Sequence, residues 1–175
     1  MEKFVVIGTG FIGKYMGKGM RKVLGTEDLQ GHAFGIKAHD TGVKEKGAEL
    51  GFAVSVKDTA AVLEREKPSI IIFSAPPEFA PDIVTGTLLP YYEQCRRENR
   101  PLPDLYSFIP SPSADWMCTQ LGGDVNVVKI LPNILDVVCG YDLSPVGINY
   151  ISYAAHMWPE ERKDILIKCM SAYGY

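Results

Sequence analysis

Near the amino terminus, Phe4-Val5-Val6-Ile7 runs straight into Gly8-Thr9-Gly10-Phe11-Ile12-Gly13. Lys3 to Ile7 suits a strand buried on both faces, and the segment after it matches G-x-G-x-x-G. Beyond the glycines, Ile12, Met16, Met20 and Val23 recur at helical spacing while Lys14, Lys18 and Lys22 fall on another face, which predicts an amphipathic helix. Placed between a strand and a helix, each glycine has a physical reason. The first permits a tight turn, the second lets backbone amides approach a pyrophosphate, and the third allows the helix to pack close to the strand. The helix N-terminus adds a partial positive charge, so a phosphate is held without a basic side chain. Gly8, Thr9, Gly10, Phe11, Ile12 and Gly13 are therefore candidate dinucleotide-binding residues.

Working outward, the chain alternates strands and helices. Strands are expected at Ala33 to His39, Phe52 to Val56, Ile70 to Ser74, Leu105 to Ile109, Val125 to Leu131 and Ile148 to Tyr153. Helices are expected at Val43 to Leu50, at Thr59 to Lys67 behind an Asp58 cap, and at about Pro81 to Asn99, interrupted or restarted at Pro90. Two more run from Ser113 to Leu121 and from Pro159 to Ala172, the latter with Glu160 and Glu161 near its positive end. Short alternating elements imply βαβ crossovers, hence a doubly wound, Rossmann-like α/β fold with a mainly parallel sheet and helices on both faces. Residues 1–155 are expected to form this domain, and 156–175 a terminal helix that opens a further one. The residues Ile165, Leu166, Cys169 and Met170 predict an exposed apolar stripe on that helix, suited to a homodimer or to partner docking.

Three further places carry candidate chemistry. Asp40 closes the expected second strand, where a carboxylate accepts hydrogen bonds from both ribose hydroxyls of an adenosine and repels a 2'-phosphate, which favours NAD. The same residue also suits a cap on the Asp40-Thr41-Gly42 turn, and Lys44 and Lys46 keep NADP open. Ser74, Ala75, Pro76 and Pro77 end the fourth strand at the carboxyl edge, leaving room for a flat ring beside a rigid loop, or simply stopping the strand. Asn133 follows the sixth strand, where its carboxamide offers a donor and an acceptor to a nicotinamide amide or a substrate, or stabilises its own turn. His156 has no assignable acid-base partner in the sequence, and Cys118 and Cys139 read as small buried side chains.

Composition narrows the rest. The 175 residues are 46% hydrophobic and 22% charged, which is the balance of one globular domain with a core. A net charge of -3 gives no basic footprint for nucleic acid and no polybasic run for an anionic membrane. Four scattered cysteines and three histidines lack metal-ligand spacing. No apolar run approaches the length of a membrane helix, and the opening residues carry no signal-peptide pattern, so a reducing cytoplasm is expected.

Taken in order, these motifs resemble the cofactor domain of the pyrroline-5-carboxylate reductase family, within the 6-phosphogluconate-dehydrogenase-like and F420-dependent oxidoreductase group. The resemblance is carried by Val5 to Gly13, by Ile71-Ile72-Phe73-Ser74-Ala75-Pro76-Pro77, by Leu105 to Ile109, and by Val128-Lys129-Ile130-Leu131-Pro132-Asn133, similar to the family's Met-Pro-Asn segment. Pro76 stands where that family commonly has lysine, and Ile134-Leu135-Asp136 replaces its Thr-Pro-Ala. The resemblance implies an NAD(P)-dependent oxidoreductase that transfers hydride to or from a small imine or related substrate. It also implies that the family's helical dimerisation domain, with its substrate contacts, is not contained in these residues, leaving this chain incomplete as an enzyme. The alternative class is a dinucleotide-binding module that senses or assembles without catalysis; turnover separates the two.

Overall fold

The computed structural model describes residues 2–8, 10, 12–13, 16–17, 19–20, 32–35, 54–56, 59–132, 150–154 and 158–171. Its centre is a seven-stranded sheet in the order β3-β2-β1-β4-β5-β6-β7, with β1 at Phe4–Ile7, β2 at His32–Gly35, β3 at Val54–Val56, β4 at Ile70–Phe73, β5 at Asp104–Ser107, β6 at Val127–Leu131 and β7 at Tyr150–Tyr153. The first six strands are parallel and β7 runs antiparallel to β6. The strand order reverses direction at β1, which lies between β2 and β4. A reversal of this kind opens a crevice at the carboxyl ends of the two central strands, because the crossovers on either side leave on opposite faces.

Alternation along the central strands feeds two cores. Val5, Ile7, Ile71, Phe73, Leu105 and Val127 face one layer, built from the helix Thr59–Glu66, the helical run from Ala80 to Arg97, and the helix Ala114–Gln120. Phe4, Val6, Ile70, Ile72, Tyr106, Val128 and Ile130 face the other, where Met16 and Met20 of the first helical segment meet the terminal helix Glu160–Met170. Strands buried on both faces explain why β1 and β4 read as unbroken apolar runs.

The structure corrects one expectation outright. Leu166, Cys169 and Met170 are buried against the sheet, and Ile165 packs beside them, so the stripe on the terminal helix is core and not a free docking face. Its exposed apolar residue is instead Ile167. The cause is tertiary: Phe4, Ile70 and Tyr106 present an apolar surface that the helix covers. At Pro90 the helical run restarts, with the α-helix Leu89–Arg97 carrying Pro90 in its first turn. Val84–Leu88 forms a π-helical turn in which the Leu89 amide donates to the Val84 carbonyl. Pro90 has no amide to give to Gly86 and its ring crowds that carbonyl, so a widened turn ahead of it lets the run continue to Arg97. Ser113 caps the helix Ala114–Gln120 as expected, its hydroxyl accepting from the Trp116 amide at 3.2 Å. Among the described residues no helix is long and apolar enough to cross a membrane.

Candidate functional site

At the carboxyl end of β1 the chain turns at Gly8, which has φ +91°. An L side chain rarely adopts that conformation, and a Cβ there would lie 2.6 Å from the Ala75 nitrogen and 2.7 Å from the Ser74 carbonyl oxygen. The turn is therefore pressed against the end of β4. Gly13 closes the same knot from the helix side, since a Cβ on it would fall 2.0 Å from the Gly8 carbonyl oxygen and 2.4 Å from Ser74 Oγ. Gly10 differs from both. It is exposed, and a Cβ built on it meets nothing within 4 Å. The outer glycines serve packing, while the middle one leaves backbone open to an incoming group.

Gly13→Ala should accordingly cost about 1–3 kcal/mol, the range for overpacking, and fall toward its upper end because the Gly8 carbonyl cannot yield. Gly10→Ala should leave stability nearly unchanged. Urea denaturation of the two variants side by side measures the difference, and equal stabilities would contradict this division.

Ser74 does something its sequence position does not reveal. Its hydroxyl donates to the Gly8 carbonyl at 2.6 Å, with a longer contact of 3.3 Å to the Ile7 carbonyl, and its amide donates to Ile7 at 2.9 Å. A residue read as a small, ligand-facing side chain thus ties the glycine turn to β4. Beyond it Ala75 is buried, whereas Pro76 and Pro77 are exposed and lead into the 3-10 turn Pro77–Phe79. Ile12 is half-buried on the first helical segment, packed against the core. Thr9, Phe11, Asp40, Lys44, Lys46, Asn133, Cys139 and His156 lie outside the described residues.

Charges cluster at the opposite, amino-terminal end of the strands. Arg162 donates to Asp104 at 2.8 Å and to Glu2 at 2.9 Å, and Asn126 donates to the second Asp104 oxygen at 2.8 Å. Burial pushes the Asp104 carboxyl up despite these bonds. At Glu2 burial also acts upward, but the hydrogen bonds from Arg162 and Ser69 outweigh it and hold that carboxyl below its ordinary value. A cleft of about 390 Å³ opens beside this network, lined among others by Lys67, Arg100 and Arg162. Each of these cations already faces a carboxylate, so none of the three is an unmatched positive charge for a ligand. Burial raises the thiols of Cys95 and Cys118 and lifts that of Cys169 to about 12, which disfavours the reactive thiolate at these three described cysteines.

No family model matches the chain, and no curated protein does. Solved structures do. A pyrroline carboxylate reductase of Plasmodium falciparum, solved with NADP bound, superposes over 99% of this chain with TM-score 0.66 and 15% identity. The pyrroline-5-carboxylate reductase of Coxiella burnetii matches over 99% with TM-score 0.72 and 12% identity. A prephenate dehydrogenase from A. aeolicus, in complex with hydroxyphenyl propionate and NAD+, matches over the full chain with TM-score 0.68 and 15% identity. The fold is Rossmann-like. At such identities the likeness is one of architecture, and this chain spans only 56–58% of the length of those three proteins. The Rossmann-like sheet supplies what the sequence pattern requires: the glycine turn stands at the carboxyl edge, at the point where the strand order reverses.

Proposed function

We propose that this chain is the nicotinamide-dinucleotide-binding part of an oxidoreductase acting on a small imine or related carbon centre. The observation that carries the reading is the contrast within the glycine turn: Gly8 and Gly13 are locked into the β1–β4 knot while Gly10 faces open space. Such a turn fits a pyrophosphate, which demands close backbone approach and tolerates no side chain between. Gly8, Thr9, Gly10, Phe11, Ile12 and Gly13 would hold it. Asp40 would accept from the adenosine ribose, and Ser74, Ala75, Pro76, Pro77 and Asn133 would border the nicotinamide. NAD or NADP would supply the hydride chemistry itself. The chain's own residues bind, orient and exclude water. Structural neighbours with NADP and with NAD+ support the same reading.

Calorimetric titration of the folded chain with NADH and NADPH tests it. NADH is expected to bind, and NADPH about tenfold or more weakly, because a carboxylate at position 40 repels a 2'-phosphate. Asp40→Ala should narrow that ratio. Equal or better binding of NADPH would transfer the choice to Lys44 or Lys46, and no binding of either nucleotide would remove the dinucleotide reading. Turnover of NADH with pyrroline-5-carboxylate then separates an oxidoreductase from a silent binding module.

A further inference from the structure

The sixth strand reads Val127-Val128-Lys129-Ile130-Leu131, and Val127, Val128 and Ile130 are fully buried. A lysine in the middle of such a strand needs a reason. Its neighbours in register are Ser107 on β5 and Ser152 on β7, so a short polar row crosses three strands on one face of an otherwise apolar sheet. Ser107 is fully buried with a hydroxyl that meets no protein partner. Lys129 is half-buried, and its ammonium donates to the Pro110 carbonyl in the loop after β5. No carboxylate pairs with it among the described residues. The other partly buried cations there all have one: Lys3 faces Glu66, Arg96 faces Asp124, Arg100 faces Glu64 and Arg162 faces Glu2. An ammonium whose one protein partner is a neutral carbonyl keeps donors to spare, and an anion is a stronger partner for them than a carbonyl.

The surroundings say what kind of anion. Two residues further along β6, on the same face, Leu131 is 46% exposed, and the residue opposite it on β7, Tyr150, is 70% exposed. Lower on this face Val127 shares a core with Met117 and Cys118 of the helix Ala114–Gln120, but Leu131 and Tyr150 leave the upper part, on the face that carries Lys129, as an open apolar shelf. Strands in a sheet lie about 4.8 Å apart, so β6 stands about 10 Å from β4 along the carboxyl edge. If the adenosine lies toward β2, as a carboxylate at position 40 requires, the nicotinamide half points toward β4 and β5 and ends next to this shelf.

We propose that Lys129 holds the anionic group, carboxylate or phosphate, of a small substrate whose apolar body lies on Leu131 and Tyr150. The role as substrate site rests on the dinucleotide reading above; the anion site itself stands on the sheet's own residues. Binding exchanges the neutral Pro110 carbonyl for a full negative charge, a stronger partner for an ammonium. An apolar body with no charge, or a charge with no apolar body, engages only half of the shelf.

The test uses the full chain with its lysines labelled by reductive 13C-methylation, which keeps their charge, and identifies the Lys129 signal by its loss in Lys129→Arg. Benzoate and phenylphosphonate are the probes, with acetate and benzyl alcohol as controls. The Lys129 signal is expected to shift with at least one probe at a tenfold lower concentration than with acetate, and not with benzyl alcohol. Leu131→Ser should weaken the probe about threefold or more and leave acetate unchanged. A response to benzoate alone marks a carboxylate site, and a response to phenylphosphonate alone a phosphate site. A Lys129 signal that stays still, or that moves equally with acetate and benzoate, overturns the proposal. Repeating the titration with saturating NADH separates the two readings. Failure of NADH to bind sinks the dinucleotide assignment while the anion result stands, and NADH binding with an unmoved Lys129 signal sinks the shelf alone.

Discussion

A Gly10→Val protein is expected to fold normally and to lose at least about 100-fold in affinity for NADH, close to 2.7 kcal/mol by the usual conversion. Both halves of that expectation come from one geometric fact. The Cβ position of Gly10 is open, so a side chain attached there starts in free space, away from the Gly8–Gly13–Ser74 knot. The same side chain would stand where a pyrophosphate must approach backbone amides, and amide-to-phosphate hydrogen bonds do not survive an interposed side chain. Calorimetry gives the affinity, and a thermal melt reports the fold. Unchanged affinity in a folded Gly10→Val chain would place the pyrophosphate elsewhere. Loss of fold would show that the turn is crowded in a way its open Cβ position contradicts.

Arg162→Ala should destabilise the fold by about 3–5 kcal/mol. Arg162 joins three pieces of chain: Glu2 before β1, the Ser69 carbonyl before β4, and Asp104 at the start of β5. Asp104 is almost wholly buried, and with the guanidinium gone its carboxylate keeps only the Asn126 amide. An unpaired charge in that position costs more than the salt bridge contributes while intact. The double variant Arg162→Ala, Asp104→Asn should therefore regain about 1–2 kcal/mol over the single one, since the two residues are in contact and their effects cannot add. Urea denaturation at neutral pH measures both. A loss under about 1 kcal/mol for Arg162→Ala would mean that the network is solvated and contributes little.

Local pattern alone was enough to place most of the elements and the glycine turn. Unbroken apolar runs at Phe4–Ile7 and Ile70–Phe73, helical spacing after Gly13, the serine cap at Ser113 and the proline before Glu160 each encode an element within a few residues of itself. The alternation of those elements then implied a doubly wound sheet, because crossover handedness leaves few other arrangements. Strand ends were less legible: β5 begins at Asp104 and stops at Ser107, earlier at both ends than its apolar run suggests, because pairing with β4 and β6 sets the ladder. What sequence could not supply are contacts between residues far apart along the chain. Ser74 reaches Gly8 across 66 positions, and Arg162 reaches Glu2 across 160. Whether the stripe of Leu166, Cys169 and Met170 faces solvent or Phe4 and Tyr106 depends on what surface the folded sheet presents, which helical periodicity does not encode. Lys129 falls beside Ser107 and Ser152 only because β6 pairs with β5 on one side and β7 on the other. Short-range chemistry determined which elements form and where the glycine turn stands at the end of the first strand. Strand order and register, which are settled by burying both faces of the sheet at once, decided which distant side chains meet.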